Sequence, residues 1–180
     1  TALGVAPGDH ASTTVDSIAH EYTSLSAAEA GASDATHTNN VSLVTADVVL
    51  NLPCYYDTAA DSTVVVIDGY TTDATRYIRI YTPTNTATEC NQTQRHAGLK
   101  TSGYQLTTAS TWVTLLDVSD EHVRIDGLVV GAAGAGVQGI YLTITSGVQW
   151  ISHCVIWATD RGISIPATFD TVRIWNNIIF

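Results

Sequence analysis

Five carboxylates in the second half of the chain, Asp117, Asp120, Glu121, Asp126 and Asp160, are the residues with the clearest capacity for chemistry. Cleaving a polysaccharide needs convergent acids: two flanking the glycosidic bond for hydrolysis, or oxygen ligands for Ca²⁺ plus a base for elimination. Asp117 and Asp126 are the two catalytic candidates of that kind. Their setting argues for a plainer role. Asp117, Asp120 and Glu121 precede an apolar run that starts at Val123, and Asp126 opens the polar corner Asp126-Gly127 behind it. Acids in such places cap turns and face water, so no residue is assigned to catalysis. His96, in Arg95-His96-Ala97-Gly98, has no acid or nucleophile spaced for it and reads as a loop-packing histidine.

Other motifs are weaker. A Gly-x-Ser-x-Gly elbow is absent, and so is any Cys/His spacing suited to zinc, so neither metal nor cofactor is expected. The glycine-rich stretch 131–136 lacks the strand-to-helix setting and the Lys-Ser/Thr ending of a phosphate loop, and reads as a flexible loop protruding between structural units. Of three cysteines, Cys154 lies in a buried-looking run, while Cys54 and Cys90 are candidates for a disulfide whose geometry spacing alone does not fix. Asn40 and Asn91 each begin an Asn-x-Ser/Thr acceptor for glycosylation. Tyr55, Tyr56, Tyr70, Tyr77, Tyr81 and Tyr104 have rings able to stack on sugars, but packing at strand ends is the reading preferred here.

The elements that must position these residues show up as a repeat. The tetrads Tyr77-Ile78-Arg79-Ile80, His122-Val123-Arg124-Ile125 and Thr171-Val172-Arg173-Ile174 start 45 and 49 residues apart, with a variant, Gly147-Val148-Gln149-Trp150, midway between the last two. A unit of roughly 24–25 residues is too short for a domain and must stack on its neighbours. Each tetrad alternates apolar and polar residues, the mark of a strand with one buried face. This alternation predicts Val123, Ile125, Val148, Trp150, Val172 and Ile174 facing one core, and Arg79, Arg124 and Arg173 facing outward without a catalytic role. Short corners (Asp126-Gly127, Ser152-His153, Asn176-Asn177) lead into further apolar runs. Two or three short strands per unit describe a parallel β-solenoid.

Residues 1–20 are small and polar and read as an extended N-terminal arm, with the β-helix domain over 21–180. Ser26 and Glu29 form a capping-box pattern for one short helix ending at Gly31, which would cover the first coil.

The repeat, with its Asn176-Asn177 corner, resembles the right-handed parallel β-helix proteins of the pectate-lyase-like superfamily. The stretches 22–30, 68–73, 95–98 and 123–128 are similar to β-helix-repeat proteins of phages and environmental bacteria. The resemblance implies an all-β, right-handed parallel β-helix with a short capping helix, and raises polysaccharide cleavage or glycan binding as the alternative function.

Composition narrows the partners. Only 13% of residues are charged, yet the net charge is −10, with Lys100 the single lysine. Phosphate neutralisation needs clustered cations, so nucleic acid and anionic membranes are not expected as partners. The chain lacks methionine, and Phe180 ends it inside an apolar strand. Ile178, Ile179 and Phe180 are therefore expected to form an interface, with further chain or with a neighbouring subunit. Taken together, the expectation is a non-enzymatic structural protein of an extracellular assembly. The leading form is a phage virion fibre or particle-surface component, or else a self-associating filament subunit, with glycans as further partners.

Overall fold

The computed structural model describes residues 20–56, 59–143, 146–165 and 170–180. Residues 1–19, most of the expected arm, lie outside the described set. Among the described residues, thirteen strands form three sheets. Sheet A contains β1 (Leu50–Pro53), β3 (Ile78–Tyr81), β6 (Val123–Asp126), β9 (Val148–Ser152) and β12 (Thr171–Trp175). Sheet B contains β4 (Gln105–Thr107), β7 (Val129–Gly131), β10 (Val155–Trp157) and β13 (Ile178–Ile179). Sheet C contains β2 (Val65–Ile67), β5 (Thr114–Val118), β8 (Gln138–Leu142) and β11 (Arg161–Ser164). Every pairing among them is parallel; the chain passes from β1 in A to β2 in C, and from β3 onward visits A, B and C in turn. This is a parallel β-solenoid of about five turns.

The core is the inside of this coil. Ile78, Ile80, Val123, Ile125 and Ile151 from sheet A meet Leu106, Val130 and Ile156 from B and Val65, Ile67, Leu116, Val118, Ile140 and Leu142 from C, all essentially inaccessible to solvent. Each side chain stacks on its counterpart one coil away, so burial is shared between coils rather than completed within one. Residues with positive φ turn the corner from A to B: Gly127, His153 and Asn176 occupy equivalent places. Asn177 ties this corner to the coil before it, its Oδ1 accepting from the Cys154 N–H and its amide donating to the Ile151 carbonyl. The equivalent places in earlier coils hold Leu128 and Cys154, so a stacked asparagine ladder does not run through this corner.

Register corrects the repeat by one residue. Arg124 pairs with Trp150 and Ile125 with Ile151; Trp150 in turn pairs with Arg173. Gln149 and Ile151 therefore point inward, while Val148 and Trp150 face out, opposite to the expectation. Val172 and Ile174 lie on the expected inner face, but on the last described coil, where Ile174 stays 41% exposed. The steps between successive coils on sheet A are 28, 45, 26 and 23 residues. A period assumed constant across steps of 26 and 23 slips the intermediate strand by one place, which moves every side chain to the other face.

The helix α1 (Leu25–Gly31) covers the first coil as expected, with Leu25 in the core. Its N-cap is Ser24, whose side chain accepts from the Ala27 N–H, so Ser26 is already inside the helix. A second helix, α2 (Leu43–Ala46), went unseen in the sequence; Ser42 caps it, and Asn40 Oδ1 accepts from the Ser42 N–H. The stretch 131–136 does not protrude. Gly131 ends β7 with the Trp157 indole and carbonyl so close that a Cβ would collide with them, and Gly134 lies equally close to the Ser110 carbonyl.

Candidate functional site

The long segment 82–104 between β3 and β4 runs as a strap along the A-to-B corner and touches three later coils. Thr82 donates to the Gly127 carbonyl. The Arg95 guanidinium forms an ion pair with Asp126. His96 Nε2 lies 2.6 Å from the His153 carbonyl oxygen, and Gly98 approaches Ile178. The Gly98 N–H bonds to His96 Nδ1, which makes Nδ1 the acceptor and Nε2 the donor. Val129 and Val155, on the outer side of sheet B, are fully buried yet separate from the internal core, consistent with cover by the strap.

Asp126 is the centre of this corner. Its Oδ1 accepts from Ser152 Oγ at 2.8 Å and from His153 Nδ1 at 2.8 Å, and its Oδ2 takes the Arg95 contact. The other ring nitrogen of His153 receives the Asn176 amide at 3.2 Å. Burial works against the charged carboxylate, but the bonds from Ser152 and His153 and the charge of Arg95 outweigh it, leaving the Asp126 pKa below its ordinary value. The cluster joins three coils and the strap. Asp126 was legible as a corner acid; Arg95, Ser152, His153 and Asn176 were not, because their meeting depends on the path of the strap and on coil register. His96, expected to pack in a loop, does so against the same corner.

Asp117 is elsewhere, on the outer face of sheet C, where it accepts from Thr143 Oγ1 at 3.2 Å with Ser119 Oγ at 3.5 Å. It shares no partner with Asp126. Asp120 is buried at the turn from C to A and accepts from the Gly69 and Tyr70 N–H groups. Burial pushes its pKa up to about 6 against the pull of those two donors. Gln149 fills the inner place next to this turn: its amide donates to the Asp120 carbonyl, and its Oε1 accepts from the Val123 N–H.

A second feature lies on the outer face of sheet A. Asn51, Arg79, Arg124, Trp150 and Arg173 stack in one row, one residue per coil. The Arg124 guanidinium lies 3.4 Å from the Tyr77 ring centroid and 3.9 Å from that of Trp150. Arg79 lies over Tyr81 at 3.8 Å, and Arg173 near Trp150 at 5.6 Å. Trp175 meets Trp150 edge-on. The three arginines face outward as expected; Trp150 joins them only through the corrected register.

The remaining expected sites are dispersed. Cys54, Cys90 and Cys154 are all free thiols, so the Cys54–Cys90 disulfide is not formed. Cys54 points into the core and bonds to the Leu52 carbonyl, whereas Cys90 bonds to Asn85 on the strap. Burial pushes the Cys54 thiol well above its ordinary pKa and that of Cys154 up to about 12, so neither is a ready nucleophile. Four tyrosines pack as expected through their hydroxyls: Tyr70 to the Glu29 carbonyl, Tyr104 to Asp61, Tyr81 to the Glu89 carboxylate and Tyr55 to the Glu89 carbonyl. Asn91 is exposed on the strap and Asn40 half-buried. Ile178, Ile179 and Phe180 stand exposed on the fifth coil, with Lys100 Nζ 4.5 Å from the Phe180 ring. Among the described residues no group of three His, Cys, Asp or Glu side chains is placed to hold a metal ion.

No family model, curated protein or solved structure matches this chain.

Proposed function

We propose that this solenoid is a non-enzymatic structural component of an extracellular assembly, a virion fibre or particle-surface piece, with a self-associating filament subunit as its second form. The observation that supports this reading is how the candidate catalytic acids are used. Asp126 is spent on Ser152, His153 and Arg95, and so binds coils and strap together. Asp117 is engaged with hydroxyls on a different sheet. Neither is paired with the other across a groove, which is the arrangement glycoside hydrolysis requires. The likeness of the repeat to β-helix proteins of phages and environmental bacteria belongs to the same reading.

The test has two arms. Incubation with a panel of polysaccharides, followed by reducing-end and unsaturated-uronate assays, should show no cleavage. Cleavage lost in Asp117→Asn or Asp126→Asn, with folding retained, would make the protein an enzyme. Electron microscopy of the native source material should show the protein in regular particles or filaments; finding it only as free monomers would sink the assembly reading.

A further inference from the structure

The first coil is not packed solid. Between α1 and β1 lies a cavity of about 320 Å³, walled by Leu25, Ala28, Leu50, Leu52, Cys54 and Tyr104. Protein interiors leave few voids larger than a water molecule, and an apolar cavity of about 150 Å³ already holds benzene. Among the described residues, no free charge faces its depth. The Cys54 thiol is kept neutral by burial, which pushes its pKa far above the ordinary value, and it donates to the Leu52 carbonyl. The Tyr104 hydroxyl and the Leu25 N–H both donate to Asp61 Oδ2, at 2.9 and 2.8 Å. The mouth is aromatic and already fastened. The His20 ring stacks on Tyr55 with centroids 4.2 Å apart, Glu21 pairs with His37 at 3.0 Å, and Tyr22 lies so close to Gly31 that a Cβ there would collide with its ring.

From this geometry we propose that the cavity under α1 is a binding site for a small uncharged aromatic molecule of about two fused rings, with its rings among the leucines and any hydroxyl at the mouth. Volume and polarity select this ligand. About 320 Å³ sits at the small end of ligand cavities. A single turn of a partner's helix, about 10 Å across and about 5.4 Å tall, already exceeds it. A charged group seated in the depth would lose its water and gain no counter-ion. An anion would also have to pass Glu21 at the mouth, in a chain whose net charge is −10. His20 and Tyr55 offer ring faces beside the opening, which favour a flat aromatic guest over a branched aliphatic one. Filling the cavity ties α1 to the coil it covers, so the ligand steadies that end of the solenoid. The site is independent of the assembly reading: a structural rod and a free monomer can each hold it.

The test is titration of the intact protein with 2-naphthol, read by calorimetry and by the melting midpoint. One molecule should bind per chain and raise the midpoint. The charged analogues 2-naphthalenesulfonate and 2-naphthylmethylammonium should bind at least about tenfold more weakly. Ala28→Leu, which fills the cavity from the helix side, should weaken 2-naphthol binding about tenfold or more, with circular dichroism reporting that the variant is folded. A second measurement uses the parent protein and decides the matter if Ala28→Leu does not fold. In it, 2-naphthol should slow alkylation of Cys54 by N-ethylmaleimide, while Cys90, which is not part of the cavity wall, reacts at an unchanged rate. Absence of binding, equal or tighter binding of either charged analogue, full binding in a folded Ala28→Leu, or no protection of Cys54 would each overturn the proposal. So would nuclear Overhauser contacts from Leu50 or Leu52 to residues 1–19, which would make the chain its own occupant. Loss of binding as protein concentration rises would overturn it in favour of a second copy.

Discussion

The third and fourth coils differ from the second in how they are held. The third and fourth advance by 26 and 23 residues and stack strand on strand with short corners. The second takes 45 residues, and the excess forms the strap over 82–104, which runs ahead along the solenoid and binds the corners of later coils. Regular coils gain stability by repetition, each burying the face of the next. The strapped region gains it from a few polar contacts between residues far apart in sequence. Local substitutions should therefore act differently on the two.

The largest effect is expected at the strap. Asp126→Ala leaves the Arg95 guanidinium and His153 without their acceptor in a partly buried corner, and should cost about 3 kcal/mol. Asp117→Ala, on the outer face of sheet C, should cost under about 1 kcal/mol. Chemical denaturation of both variants checks this; equal losses would erase the distinction between clasped corner and open face.

Within the regular coils the sensitive point is close approach. Gly131→Ala drives a methyl group into the Trp157 carbonyl and should cost roughly 2–3 kcal/mol. An unchanged melting midpoint would mean that β7 and β10 are not so closely packed there.

Gln149→Leu sharpens the comparison from inside. An added apolar side chain would ordinarily stabilise a core, but here it strands the Val123 N–H and the Asp120 carbonyl, and should cost about 2 kcal/mol. A gain in stability would show that those two groups find other partners.

The smallest effect is on pH dependence. The folded-state pKa of Asp120, about 6, lies above the ordinary carboxylate value near 4. Its contribution is thus complete below about pH 4 and is lost as pH rises through 6. Asp126, with its pKa depressed, has the opposite sign: its contribution is present above about pH 4 and is lost on further acidification. Stability should therefore peak in mildly acid solution. Asp120→Asn, which keeps an oxygen for the Gly69 and Tyr70 donors, should flatten the alkaline side alone; an unaltered profile would assign that slope to another group.

The sequence made the regular coils readable because stacked strands need the same alternation at each step. Val123, Ile125 and the outward arginines follow from it directly. Trp150 did not, because the repeat is uneven and Gln149, a polar residue, holds an inner place. Taking Ile151 as the partner of Ile125 would have corrected the register. The corner cluster left no local signal: nothing near Arg95 or His96 in sequence indicates that their partners lie 31 and 57 residues onward. Helix α2 was hidden in a stretch whose β-branched residues favour strands, and it forms because Ser42 caps it and tertiary contacts decide the rest.

The strap also governs the order in which the molecule is made and lost. Its partners at Asp126 and His153 are not in place until the third and fourth coils have stacked, so the clasp is expected to close after those two coils and not before them. Contacts that form after the rate-limiting step do not hasten folding; they lengthen the life of what has folded. In rapid-mixing experiments Arg95→Ala should thus unfold faster than the parent while refolding at nearly the parent's rate. On that outcome the strap is a latch on a spring: it adds little to winding the coil and sets how long the coil stays wound.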